Sequence, residues 1–105
     1  MGADLYINST DGEKGYFRDS YNNSNLLWKF DLSYWKNPYI SKTGKLSPTN
    51  AKRLLKAMKK KKDIFDKNMS KEDKESISYF KDKYKKFKAF LNLAIKLKES
   101  IDCSY

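Results

Sequence analysis

The chemically richest part of the chain is the stretch GYFRDSYNNSNLLWKF, which begins at Gly15. No lysine occurs between Gly15 and Trp28, although the whole chain has 21 lysines and a net charge of +10. The stretch instead combines tyrosine, phenylalanine and tryptophan rings with asparagine amides, one arginine and one aspartate. These are the side chains that contact the bases, sugars and phosphates of nucleotides. The composition of the stretch therefore predicts a site for a nucleotide-like anionic ligand.

Each type of group in the stretch has a distinct predicted role. A guanidinium fork binds phosphate or carboxylate, a carboxylate accepts hydrogen bonds from sugar hydroxyls, and amides both donate and accept. Aromatic rings stack on bases, a contact worth roughly 1–3 kcal/mol. The predicted ligand-binding residues, the last of them on a later helix, are Tyr16, Arg18, Asp19, Tyr21, Asn22, Asn25, Trp28 and Arg53. A structural alternative stays open, in which Arg18 pairs with Asp19 or with the strands and the asparagines form caps and turns.

The composition excludes the common catalytic sets. The chain has no histidine and a single cysteine, Cys103, so it offers no Ser–His or Cys–His pair and no metal site built from Cys and His. The four glycines are scattered and form no phosphate-binding loop. We therefore predict a binding protein without catalytic residues, metal or cofactor. A nucleotide-processing enzyme that uses a carboxylate or a lysine is the alternative.

The positive charge is concentrated in the second part of the chain. Residues 1–41 hold four basic and five acidic residues, whereas residues 42–105 hold nineteen basic and eight acidic ones. A stripe of lysines in the last predicted helix, beside Tyr79 and Phe90, offers phosphate contacts, so a lysine-rich nucleic-acid-binding protein is a further alternative. The stripe consists of Lys81, Lys85, Lys88 and Lys96. The simpler interpretation is that these lysines form the solvated face of an amphipathic helix.

Two short segments at the termini show the alternation of half-buried strands. Residues 3–7 (ADLYI) and 101–105 (IDCSY) both place apolar side chains at every second position. Because a lone strand leaves backbone groups unpaired, we expect these two segments to pair. Residues 16–23 show no clean period and predict an irregular segment.

Three principal helices are predicted between these strands. The first runs from Asn25 to Lys36 and stops before Pro38. The second begins at Ser47-Pro48, an N-cap followed by proline at the first helical position. The third opens at Ser70 and runs to Glu99. The predicted fold is therefore mainly α, with three principal helices and a small two-stranded pairing of the N- and C-termini, in one domain that covers residues 1–105.

The location predicted from the sequence is the cytosol. No apolar run approaches the roughly eighteen residues of a membrane span, and the N-terminus lacks the basic and apolar regions of a secretory signal. A single cysteine fits a reducing compartment. We expect no membrane partner, and a homo-oligomer is compatible with the sequence.

Several motifs resemble a family of small phage and bacterial proteins. They are MGADLYI at the start, GYFRDSYNNSNLLW followed by LSYW, then SPTNAKRLL, and IKLKESIDCSY at the end. Family members share these blocks in the same order over most of the chain, but usually insert a helix before the block that starts at Tyr16 and contain less lysine. The resemblance implies a phage setting in the cytosol of a bacterial host.

The resemblance and the site composition together predict an anti-defence function. Small phage proteins without catalytic residues are often inhibitors of host defence, and some act as sponges for nucleotide-derived immune signals. We therefore predict a phage-type protein that sequesters such a signal. The alternative partner is a host defence protein, with the chain acting as an inhibitor of a nuclease or CRISPR effector.

Overall fold

The computed structural model of the 105-residue chain describes residues 2–8, 13–20, 25–34 and 36–104. The described residues form a four-stranded sheet and four α-helices, with a 3₁₀ turn at Glu13–Gly15. In chain order the elements are β1 (Gly2–Tyr6), β2 (Tyr16–Ser20), α1 (Leu26–Lys29), β3 (Lys45–Leu46), α2 (Pro48–Lys60), α3 (Lys62–Met69), α4 (Lys74–Leu97) and β4 (Ile101–Ser104).

The sheet is antiparallel throughout, with strand order β2-β1-β4-β3. Leu5 in the middle of β1 lies opposite Phe17 of β2 and opposite Cys103 of β4. The two termini therefore pair, as their alternation predicts, but this pair is the centre of a larger sheet. The prediction of a mainly α fold with a two-stranded pairing is wrong, because β2 and β3 extend the pair on both sides.

Strand β2 occupies part of the segment that the sequence predicts to be irregular. Phe17 and Asp19 point into the interior, whereas Tyr16 and Arg18 lie on the exposed face of the sheet. The alternation escapes notice because the second inward side chain is a carboxylate rather than an apolar group. Residues 21–23, the rest of that predicted segment, lie outside the described residues.

The two long helices, α2 and α4, each begin at a residue whose side chain caps the helix with a hydrogen bond. The Ser47 side chain accepts a hydrogen bond from the Asn50 amide at 3.2 Å, which confirms the predicted start of α2. Helix α4 begins later than its predicted start at Ser70, because the cap is Asp73, whose side chain accepts a hydrogen bond from the Ser76 amide at 2.8 Å. It ends where Lys98 adopts a left-handed conformation.

The helix predicted from Asn25 to Lys36 is much shorter than expected. Helix α1 ends at Lys29, and Asp31 has a φ of 59°, which a right-handed helix does not accommodate. The amide of Leu32 then bonds back to the carbonyl of Leu27 at 2.9 Å. Leu26, Leu27, Phe30 and Tyr34, which belong to the apolar run that suggests a long helix, are buried around this turn. A separate helix, α3, occupies the connection that the sequence left undefined.

Aromatic rings join the sheet and the helices into one core. Phe17 of β2 contacts Phe87 and Phe90 of α4, with ring centroids 4.8 Å and 5.9 Å apart. Phe30 stacks on Phe65 of α3 at 4.5 Å. These contacts fix α4 beneath β2, which decides the geometry of the site described below. Within the described ranges, none of the helices has both the length and the apolar surface needed to cross a bilayer.

The turn before β3 gives a stability prediction. Gly44 has a φ of 79°, its carbonyl accepts a hydrogen bond from the Cys103 amide at 2.7 Å, and an added Cβ would lie 2.6 Å from the Cys103 carbonyl oxygen. We expect Gly44→Ala to lower the free energy of unfolding by about 1–3 kcal/mol in urea denaturation. Thr43→Ala, at the exposed neighbouring position, is the control and changes it by less than about 0.5 kcal/mol. Equal stability of the two variants would contradict the close approach.

Candidate ligand-binding groove

Strand β2 places Arg18 and Asp19, the two central residues of the predicted site, on opposite faces of the sheet. The Arg18 side chain is 61% exposed on the outer face, and its Nε lies 3.8 Å from Oδ1 of Asp4 on β1. Tyr16 lies beside it and donates a hydrogen bond of 2.5 Å to the same oxygen, which raises the pKa of the Tyr16 phenol. The Arg18 guanidinium therefore pairs across the strands, with Asp4, whereas the Asp19 side chain points to the other face of the sheet.

Asp19 is a buried carboxylate that organises the interior. It accepts hydrogen bonds from the Leu26 amide at 2.9 Å and 3.1 Å and from the Tyr34 hydroxyl at 2.6 Å. The Nζ of Lys83 on α4 lies 3.6 Å from its Oδ1. The carboxylate thus holds the start of α1, the chain at residue 34 and helix α4 together. These partners are neither Arg18 nor the strands that the structural alternative names, but they also use the Asp19 oxygens within the protein.

The other predicted site residues are dispersed. Asn25 is buried as the N-cap of α1 and accepts a hydrogen bond from the Trp28 amide at 2.7 Å. Trp28 is 51% exposed on α1, and Arg53 donates to Asn50 within α2 at 3.2 Å. Among the described residues, none of these three lines the groove in which Tyr16 and Arg18 lie. Tyr21 and Asn22 lie outside the described residues.

A groove of about 770 Å³ runs between β2 and one side of α4. Tyr16 and Arg18 belong to one wall, with Lys14 and Phe17. The α4 wall is a stripe of residues three or four positions apart, as expected for one side of a helix. It consists of Tyr79, Asp82, Lys83, Lys86, Ala89, Phe90 and Leu93. The groove combines an aromatic and apolar surface with positive charge.

The positive charge comes from both walls. Among the described residues, Lys14 and Arg18 belong to the strand side and Lys83 and Lys86 to α4, against a single carboxylate, Asp82. That carboxylate lies 3.1 Å from the Nζ of Lys86. The described part of the groove lining therefore has a net charge of +3, which attracts anions.

Lys83 links the groove to the interior. Its side chain is only 16% exposed, and its Nζ lies 4.9 Å from the centre of the Tyr79 ring. The same Nζ donates to the Arg18 carbonyl at 3.2 Å. The bonds to Asp19 and to the strand hold this ammonium group in one position at the floor of the groove. Sequence reasoning missed Lys83 because its partners lie more than sixty positions away.

The predicted lysine stripe lies on a different face of α4. Lys81, Lys85 and Lys96 are exposed and do not line the groove, and Lys88 lies over the Tyr84 ring at 4.4 Å.

Burial raises the pKa of Cys103 to about 12, so the thiol stays protonated near neutral pH. In the part of the chain that the structure describes, no three His, Cys, Asp or Glu residues group as a metal site.

The fold and the groove define a small α+β domain with a cationic, aromatic-lined cleft at the edge of its sheet. No protein-family model, curated protein or solved structure matches the chain. The resemblance to small phage proteins therefore stays a prediction.

Proposed function

We propose that the protein binds and sequesters a nucleotide-derived anionic ligand in the groove between β2 and α4. The observation that carries this proposal is the meeting of Arg18 with Lys83 and Lys86 beside exposed aromatic rings. A cleft of about 770 Å³ lies in the size range of sites for small molecules and cofactors. Its mixed lining suits a ligand that has both a flat ring and a charged group.

Different residues of the groove are proposed to contact different parts of the ligand. Arg18, with 61% of its side chain exposed and a long 3.8 Å contact to Asp4, is available to bind phosphate through its guanidinium fork. Lys86 supplies a second cation from the opposite wall. Tyr79, which is 51% exposed, offers a ring on the α4 side. Asp19 has a supporting role, because it holds Lys83 beneath the site.

The biological setting of the proposal rests on the resemblance to phage proteins. In that setting the ligand is an immune signal in the bacterial host cytosol, and its capture inhibits defence. A sponge returns its ligand unchanged. Ligand released by denaturation and identified by mass spectrometry should therefore be intact. A chemically altered ligand would instead indicate that the protein is an enzyme.

The Arg18→Ala variant tests the site. A nucleotide at a hundred times its dissociation constant should stabilise the protein by about 2.7 kcal/mol, which a thermal-shift panel of linear and cyclic nucleotides detects. Loss of a charge-assisted hydrogen bond worth about 1.5–3 kcal/mol should weaken binding of the best nucleotide by about ten- to a hundredfold.

The matched control for this experiment is Arg53→Ala. Arg53 is the only other arginine of the chain, and it lies exposed on α2 outside the groove lining. We expect this variant to bind as the parent protein does. Absence of a shift with every nucleotide, or equal weakening in the two arginine variants, would overturn the proposed function.

A further inference from the structure

We infer that the ligand is an adenine nucleotide whose base is read by the free backbone edge of β2. This inference rests on the proposed function and names the ligand class of the same groove. It follows from three features of the strand and its surroundings: which backbone groups face the groove, what they can bind, and which side chains lie beneath them.

The first feature is the direction of the backbone groups of β2, which is an edge strand of the sheet. The Ile7 amide donates to the Gly15 carbonyl at 2.8 Å, so Gly15 faces β1. In an antiparallel ladder, residues that face the neighbouring strand alternate with residues that face away. Tyr16 and Arg18 therefore direct their N–H and C=O groups away from β1. The bond from Lys83 of α4 to the Arg18 carbonyl agrees with this direction.

The second feature is the pattern of donors and acceptors on that edge. The carbonyl of Tyr16 and the amide of Arg18 are neighbours on the free side, one an acceptor and the other a donor. No described residue bonds either group. Adenine presents a complementary pair on its Watson–Crick edge, because the N6 amine donates and the adjacent N1 accepts. The strand edge can bind this pair as it would bind the backbone of a fifth strand.

The third feature is the surface beneath the edge. Hydrogen bonds of a sheet lie close to its plane, so a base bound to the edge continues the sheet beyond β2. Phe90 of α4 packs under Phe17 and lines the groove together with Leu93. These side chains form an apolar floor for the flat ring, while Arg18 and Lys86 remain for the phosphates. The described lining holds four cations and one carboxylate, which disfavours a second copy of this basic chain as the occupant of the edge.

The inference is tested by titration calorimetry of the full chain with ADP, GDP and the N6,N6-dimethyl analogue of ADP. The analogue keeps the ring and the phosphates but lacks the amine donor. We expect it and GDP to bind at least tenfold more weakly than ADP. Amide hydrogen exchange gives a direct readout, because ADP should slow exchange at Arg18 at least tenfold and the analogue should not.

The outcomes separate this inference from the proposed function. Equal affinity for the three nucleotides, or unchanged exchange at Arg18 with ADP bound, would overturn the backbone reading of adenine and leave a nucleotide site in place. Tighter binding of a cytosine nucleotide than of ADP would also overturn it, since cytosine offers a similar amine and ring nitrogen. Binding of an acidic extended peptide in place of every nucleotide would overturn both proposals.

Discussion

Asp19→Ala should lower the free energy of unfolding by about 3–5 kcal/mol, a large part of the total for a domain of this size. The buried carboxylate accepts hydrogen bonds from the Leu26 amide and the Tyr34 hydroxyl and lies 3.6 Å from Lys83. Its removal takes this partner from Lys83, whose side chain is 16% exposed, and takes the carboxylate acceptor from the Leu26 amide and the Tyr34 hydroxyl. Urea denaturation followed by circular dichroism measures the change.

The control for this variant is Asp66→Ala. Asp66 also pairs with a lysine, since the Nζ of Lys62 lies 2.6 Å from its Oδ1, but both side chains are about half exposed. An exposed pair of this kind contributes less than about 1 kcal/mol. If Asp19→Ala were no more destabilised than Asp66→Ala, the Asp19 carboxylate would not link β2, α1 and α4. The prediction that Asp19 binds the ligand would then again be the better interpretation.

The elements that the sequence predicts well are those encoded by neighbouring residues. The alternation of ADLYI and IDCSY and the cap at Ser47-Pro48 depend on short-range rules, and the structure confirms strands at both termini and the start of α2. The turn at Asp31 escapes prediction because a periodic run of apolar residues fits both a long helix and a short helix that folds back on itself. Only the packing of Phe30 against α3 and α4 distinguishes the two.

The candidate site shows a second limit of sequence reasoning. Aspartate and asparagine are selected both for ligand contact and for capping, so the types of Asp19 and Asn25 alone do not separate the two uses. The α4 wall is also hard to predict from the sequence. Lys83 and Lys86 lie on a face of α4 between the buried apolar face and the predicted lysine stripe. Their position next to Arg18 depends on the packing of Phe17 on Phe87, a contact between distant parts of the chain.

The second large effect is expected at Phe30, the C-cap residue directly after α1. Its ring is inaccessible to solvent, stacks on Phe65 at 4.5 Å and contacts Tyr84 at 4.9 Å. Phe30→Ala removes a ring shared by α1, α3 and α4 and leaves a cavity, so it should lower the free energy of unfolding by about 3–5 kcal/mol. The shift of the urea midpoint at an unchanged slope measures this loss.

Trp28→Ala, two positions earlier in α1, is the matched comparison because it removes a larger ring that is 51% exposed. We expect a smaller loss than in Phe30→Ala, since about half of the Trp28 surface already lies in water in the folded protein. Nucleotide binding should also persist, because Trp28 does not line the groove. If a Trp28 variant folds normally but does not bind the ligand, Trp28 contacts the ligand, and the site lies nearer to α1 than to the edge of β2. A Phe30 variant as stable as the parent would contradict the turn that ends this helix.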